Sequence, residues 1–245
     1  MERKNFLKNF AFAAVAGPMI LDGCKKDSVT KSTTTTGTTS TTTSDSSSSG
    51  CVVSPTETEG PYPYVGGELT NPLNRADITA GQTGVPLTLT FLVVNANDNC
   101  NLVANARVDI WHCNKDGFYS GYANQGGGKS FVGETFLRGY QLSDTNGTVT
   151  FTTIYPGWYS GRATHIHLEV YVNNVMKKTT QITFSETISD AVHVSTLYSL
   201  GVNPTRNAND SILGDSATDL ANETVALVGS ISAGYSGSHN IGLAL

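Results

Sequence analysis

Residues 165–172 read His-Ile-His-Leu-Glu-Val-Tyr-Val, and their period of two constrains this chain more than any other stretch. Ile166, Leu168, Val170 and Val172 recur at every second place, the spacing of a β-strand with an apolar face. Strand side chains alternate between faces, so His165 and His167 point the same way. Their Cα atoms then lie roughly 7 Å apart, within reach of one metal ion. A His-x-His pair alone is weak evidence for a metal, so its surroundings decide. Arg162 stands three residues upstream, and Tyr159 follows the turn-forming Pro156-Gly157-Trp158. A second turn-borne tyrosine, Tyr119, ends Asp116-Gly117-Phe118-Tyr119.

Other segments after residue 50 carry strand signals as well. Strands are expected over 85–95, 107–111, 136–142, 148–154, 165–172 and 176–184, with a closing strand over 235–245. Asn146-Gly147 reads as a hairpin between the fourth segment and its predecessor, and Asn173-Asn174 as another. One helix is expected over 190–200, capped by Ser189 or Asp190. Residues 207–230 read as polar and irregular. Many short strands separated by turns argue for a β-sandwich, and a core of this size stands alone.

The first 50 residues have a different character. Arg3, Lys4 and Lys8 form a basic start, residues 10–21 a short apolar run, and Leu21-Asp22-Gly23-Cys24 resembles a bacterial lipoprotein box apart from Asp22. This predicts a signal peptide over 1–23 and a lipid on Cys24, so that membrane association is through that anchor and the protein is exported, periplasmic or cell-surface. No apolar run reaches the ~18 residues of a transmembrane helix. Residues 27–50 are nearly all Ser and Thr and cannot bury enough apolar surface to offset ordering entropy. A disordered tether over 24–50 and one folded domain over 51–245 are expected. A net charge of −5 with 14% charged residues argues against a nucleic-acid surface.

With Cys24 set aside, Cys51, Cys100 and Cys113 remain, and export permits a disulfide. Cys100 and Cys113 bracket an expected strand and would sit roughly 20 Å apart at about 3.3 Å per residue, too far for a bridge. Cys51 with Cys113 is the expected pair, with a free or intermolecular thiol as the alternative.

Pro156-Gly157-Trp158-Tyr159, Arg162 and His165-Ile166-His167 together resemble the signature of the intradiol ring-cleavage dioxygenases, the catechol and protocatechuate 3,4-dioxygenase superfamily. Val108-Asp109-Ile110-Trp111 leading to Gly117-Phe118-Tyr119 resembles the family's first-ligand segment, and Thr58-Glu59-Gly60-Pro61-Tyr62 its opening motif. The motifs keep the family's order over residues 51–245. The resemblance implies an all-β, transthyretin-like (prealbumin-like) sandwich with long loops and little helix. It implies one Fe(III) per chain on Tyr119, Tyr159, His165 and His167, with Tyr119 and His165 equatorial and Tyr159 and His167 axial. It also implies a catecholic substrate cleaved with O2 between its hydroxylated carbons to a cis,cis-muconate. Tyr159 would leave the metal and take a substrate proton, and Arg162 would stabilise developing negative charge. Gln181 falls where the family often has a pocket glutamine.

The donor types agree with that assignment on their own chemistry. Two phenolates are hard anionic donors, and with two imidazoles they match none of the usual divalent patterns. A trivalent cation strips a phenol proton that otherwise leaves near pH ~10. Two rival readings are a non-catalytic binding sandwich, since fold does not fix function, and a zinc site on the two histidines with a third ligand. No His-Glu-x-x-His or similar zinc motif is present. Tyr62 and Tyr64 suit a pocket mouth or a sheet edge equally, Trp111 and Trp158 a core or pocket wall, and His112, His193 and His239 structural or surface roles.

Overall fold

The computed structural model describes residues 51–245 apart from Pro72. The expected signal peptide, tether and lipid anchor at Cys24 lie outside the described residues. Two five-stranded sheets and short helices make up the described part, in agreement with a mostly-β expectation.

One sheet holds β1 (Pro86–Asn95), β2 (Asn101–Leu102), β5 (Thr148–Ile154), β9 (Leu227–Ser230) and β10 (Gly234–Leu243). Here β1 is central, parallel to β10 on one side and antiparallel to β5 and β2 on the other. The other sheet runs β4-β3-β6-β7-β8, from β4 (Arg138–Leu142), β3 (Arg107–Trp111), β6 (His165–Val172), β7 (Val175–Phe184) and β8 (Thr224–Val225). Alternate residues of both sheets meet in one core: Leu87, Leu89, Phe91 and Phe151 from the first, Val108, Ile110, Ile166, Leu168 and Val170 from the second. Burying such side chains contributes about 1.5–3 kcal/mol each.

The opposite face of β6 is buried too. His165, His167, Glu169 and Tyr171 are nearly inaccessible, because the segment 51–68 is strapped over them. Glu57 donates its backbone N–H to the Thr179 carbonyl (2.9 Å), Gln181 Nε2 donates to the Thr58 carbonyl (2.8 Å), and Lys178 Nζ to that of Ser54 (2.7 Å). Farther along, Arg107 donates to the Glu68 carbonyl and Arg138 to those of Tyr62 and Pro63. Buried polar groups need such partners, so the strap and the polar face of β6 require each other.

Several expectations are corrected. Asn173 and Asn174 do form a hairpin turn, both with positive φ, between antiparallel β6 and β7. Asn146-Gly147 instead joins β4 of one sheet to β5 of the other. Asp144 closes that turn by accepting from the N–H groups of Asn146 and Thr148, and the Gly147 carbonyl accepts from Val93 of the far sheet. The local sequence specifies the turn but not the pairing. The expected helix over 190–200 starts earlier and ends sooner, as α1 (Glu186–His193). Its continuation is diverted because Tyr198 is pulled inward, its hydroxyl donating to the Tyr155 carbonyl and accepting from the Val85 N–H. Residues 207–230 are not irregular throughout. Ser216 caps α2 (Ala217–Glu223) by accepting from the Asp219 N–H, and β8 and β9 follow.

The disulfide joins Cys51 to Cys100, with Cα atoms 5.7 Å apart, and Cys113 is free and buried. The strap begins beside the end of β10, where Ser54 and Gly242 exchange hydrogen bonds. That end lies next to the end of β1, from which Cys100 follows. Cys113 lies beyond Trp111, past the end of β3, next to Tyr119. Peptide mapping of unreduced protein should recover Cys51 linked to Cys100. Replacing both with Ala should cost about 4 kcal/mol of stability, the scale for a loop of this length. A linked Cys113 peptide would contradict the fold.

Candidate metal centre

Four elements bring the site together. The start of β6 supplies His165 and His167, the loop after β3 supplies Tyr119, the loop after β5 supplies Tyr159 and Arg162, and the strap covers them. The two tyrosine loops meet backbone to backbone. A Cβ on Gly117, whose φ is +83°, would fall 2.3 Å from the Trp158 carbonyl oxygen. One on Gly157 would fall 2.6 Å from the carbonyls of Asn114 and Lys115. Only glycine permits this approach at either position. Asn114 shapes the first loop, its Oδ1 accepting from the N–H groups of Asp116 and Phe118. Gln125 clamps Tyr119 by its backbone, accepting from its N–H and donating to its carbonyl, each at 2.7 Å.

Three donor atoms converge. Nε2 of His165 and Nε2 of His167 are 3.1 Å apart, and the Tyr119 hydroxyl lies 3.3 Å from each. The Tyr159 ring sits edge-on, 5.8 Å from the ring of Tyr119 and 5.6 Å from that of His165. Its hydroxyl is buried near Arg162 and Tyr119 but makes no hydrogen bond of ordinary geometry. His165 donates from Nδ1 to the Ala163 carbonyl (2.6 Å), so its Nε2 keeps the lone pair. His167 is stacked on Trp111, centroids 5.0 Å apart and planes within 5°, and Gly60 of the strap presses on its edge.

Burial sets the protonation of all four. It lowers His165 to about 3, and it lowers His167 well below the usual value, with His165 and Arg162 adding to the effect. Both imidazoles are therefore neutral near pH 7. Burial raises Tyr119 well above the ordinary phenol value and Tyr159 to about 12, Arg162 opposing the rise at Tyr159. Among the described residues nothing outweighs that rise, so these phenols would ionise near neutral pH only beside a strongly charged cation. Two donors each about 2.1 Å from a shared ion and at right angles sit about 3 Å apart, which is the spacing of the three converging atoms. The residues fit a metal ion that takes hard anionic oxygen together with imidazole. Among the described residues no three of His, Cys, Asp and Glu gather as a metal cluster, so the zinc reading lacks its third ligand there.

Arg162 is fixed rather than free. Its Nε donates to both oxygens of Asp210 (3.1 and 2.9 Å) and its Nη2 to Gln181 Oε1 (2.6 Å). Asp210 is buried and accepts also from the N–H groups of Ala163, Ile212 and Leu213. Burial pushes its carboxyl up, but the Arg162 and backbone hydrogen bonds outweigh that and hold it below its usual value. Sequence reasoning missed Asp210, which lies 48 residues from its partner. Arg138 was missed as well. It is buried, ties Tyr62, Pro63 and Ser120 together, and lies 5.8 Å from the Tyr119 ring centre. Neither stands in a motif: Arg138 begins β4, while Asp210 lies in a loop that only the folded chain brings to Arg162.

Tyr62 lies over the site, stacked 4.7 Å from Tyr119, whereas Tyr64 is buried behind it against Trp111. His112 is bonded to Thr153 and the Cys113 carbonyl, and His193 to the Pro156 carbonyl. These bonds are structural, and His239 is part-exposed on β10.

The model of a family described as "Dioxygenase" matches residues 58–210, more than half of the chain. Catechol 1,2-dioxygenase 1 of Acinetobacter lwoffii is 27% identical over 146 residues, and catechol 1,2-dioxygenase of Acinetobacter baylyi 29% over 147. The matched stretch is about half of this chain and 45% of each relative. An intradiol ring-cleavage dioxygenase from Tetranychus urticae superposes with a TM-score of 0.68 at 28% identity, covering 79% of this chain and 94% of that one. The dioxygenase domain of a carbohydrate-binding fusion protein from Streptomyces shares the fold, with a TM-score of 0.56 at 23% identity over 77% of this chain and 96% of that domain. This chain belongs to the intradiol ring-cleavage dioxygenase family.

Proposed function

We propose that the chain is a non-haem iron(III) dioxygenase that opens catechol-type rings between their two hydroxylated carbons, with O2, to cis,cis-muconate-type products. The observation that carries the reading is the convergence of the Tyr119 hydroxyl with two neutral imidazoles, the Tyr159 ring edge-on beside them, in a chain of this family. One Fe(III) per chain would be held by Tyr119, Tyr159, His165 and His167. Bound there, iron supplies Lewis acidity toward a catecholate and electron exchange between it and O2. The protein's own residues do the rest. Tyr159 is one of the residues that line the open cavity, and its phenolate oxygen would take one catechol proton as general base. Arg162, held in place by Asp210 and Gln181, presents a preorganised positive charge to the negative charge that develops on substrate. Trp111, Gly60 and Tyr62 keep water from the histidine side.

Iron-loaded protein should be coloured, with about one iron per chain by metal analysis. Tyr159→Phe should keep iron, lose part of the visible absorption and cut muconate formation by roughly 10²-fold or more. Tyr119→Phe should in addition alter the spectrum of the catechol complex. A colourless protein carrying zinc, or full turnover in Tyr159→Phe, would refute the assignment. Asp210→Asn should lower stability by about 3–5 kcal/mol, as breaking a buried pair does, and reduce kcat more than it changes KM. Arg162 would then lose its fixed direction, and an unchanged kcat would remove it from the chemistry. We also infer lipidation at Cys24: Cys24→Ser should abolish palmitate labelling and release the protein from membranes.

A further inference from the structure

A cavity of about 370 Å³ opens beside Tyr159, walled by Tyr62, Phe118, Trp158 and Leu200 with Gln125 and Asp116 at its edge. That volume is in the range of sites for drug-sized ligands, about 300–1,000 Å³, and so exceeds what one bare aromatic ring occupies. Its charges are all committed. Asp116 is held by Lys115 Nζ (3.0 Å) and by the Ser199 hydroxyl (3.0 Å). Arg162, fixed by Asp210 and Gln181, is not among the residues that line the cavity. Among the described residues that line it there is no arginine or lysine to receive a carboxylate. The wall beyond Trp158 is instead apolar and fixed. Trp158 Nε1 donates to the Gly201 carbonyl (2.8 Å), which holds the segment 194–202 against the opening. That segment exposes Leu197, Leu200 and Val202.

On the dioxygenase reading above, we propose that this site selects catechols with an uncharged, apolar ring substituent over catechols carrying a carboxylate, Leu200 and Trp158 meeting the substituent. A carboxylate there would lose water without gaining a charged partner, whereas an apolar group removes the exposed surface of Leu200 from water. Discrimination of tenfold or more is the usual return for a few methylene groups in such a wall.

The test uses iron-loaded full chain with catechol, 4-tert-butylcatechol, 3,4-dihydroxybenzoate and its methyl ester. The last two have closely similar rings and differ in charge. Calorimetric titration without O2 gives Kd for each, and product formation with O2 gives kcat/KM. The ester should bind at least tenfold more tightly than the acid, and 4-tert-butylcatechol at least as tightly as catechol. Leu200→Arg, at an exposed position, should narrow the ester-to-acid ratio about tenfold. An acid that binds as well as its ester, or a ratio untouched by Leu200→Arg, would overturn the proposal. Failure to cleave any of the four would instead overturn the dioxygenase reading, because the binding ratios are read without turnover.

Discussion

Strand β6 is buried on both faces, and the rest of the domain follows from that constraint. One face, Ile166, Leu168 and Val170, closes the core between the sheets. The other carries His165, His167, Glu169 and Tyr171, which a two-layer sandwich would leave in water. A third layer is needed, and the strap provides it. Because a strand's period is two, a slip of one residue would send the imidazoles into the apolar core. Register is thus enforced by the core on one side and by paired polar groups on the other, and the donor atoms inherit that precision.

The strap is more than a lid. It brings Gly60 to the edge of His167 and Tyr62 onto the face of Tyr119, and the disulfide at Cys51 fixes its beginning beyond the far end of β1. Arg138 reaches from β4 to hold both the strap and the loop of Tyr119. The two tyrosine loops approach each other backbone to backbone at Gly117 and Gly157, with the Tyr119 and Tyr159 rings edge-on beside that contact. Dry surroundings, neutral imidazoles and phenols with raised pKa are therefore one property, the result of covering a polar sheet face completely.

Much of this was legible in the sequence where the signal is local. The period of two placed β3, β5 and β6 at their observed bounds and put both histidines on one face. Asn173-Asn174 turned as the residues demand. What failed was everything decided by distant partners. Asn146-Gly147 made its turn, yet β5 found β1 across the core instead of β4 beside it. Cys51 found Cys100 because parallel β1 and β10 end together, a long-range fact no spacing discloses. Ser216, with Asp219 three residues on, was a readable helix start that the polar composition of 207–230 obscured. Asp210 and Arg138 carry no motif, and their roles exist only once the chain is folded.

The two tyrosines differ in a way that bears on the proposed chemistry. Tyr119 is enclosed: Gln125 grips its backbone, Tyr62 covers its ring and both histidines face its oxygen. Any displacement of that phenol would have to move the strap and the loop together. Tyr159 sits on the cavity side, its ring part of the open wall and its oxygen without a hydrogen bond to hold it. Arg162 and the Tyr119 hydroxyl favour its anion, against the burial that raises it. A group that must first hold a metal and then give way to an incoming catechol needs this weaker tethering and access to the space the substrate enters. The asymmetry of packing suits the mobile role proposed for Tyr159 and the permanent one proposed for Tyr119.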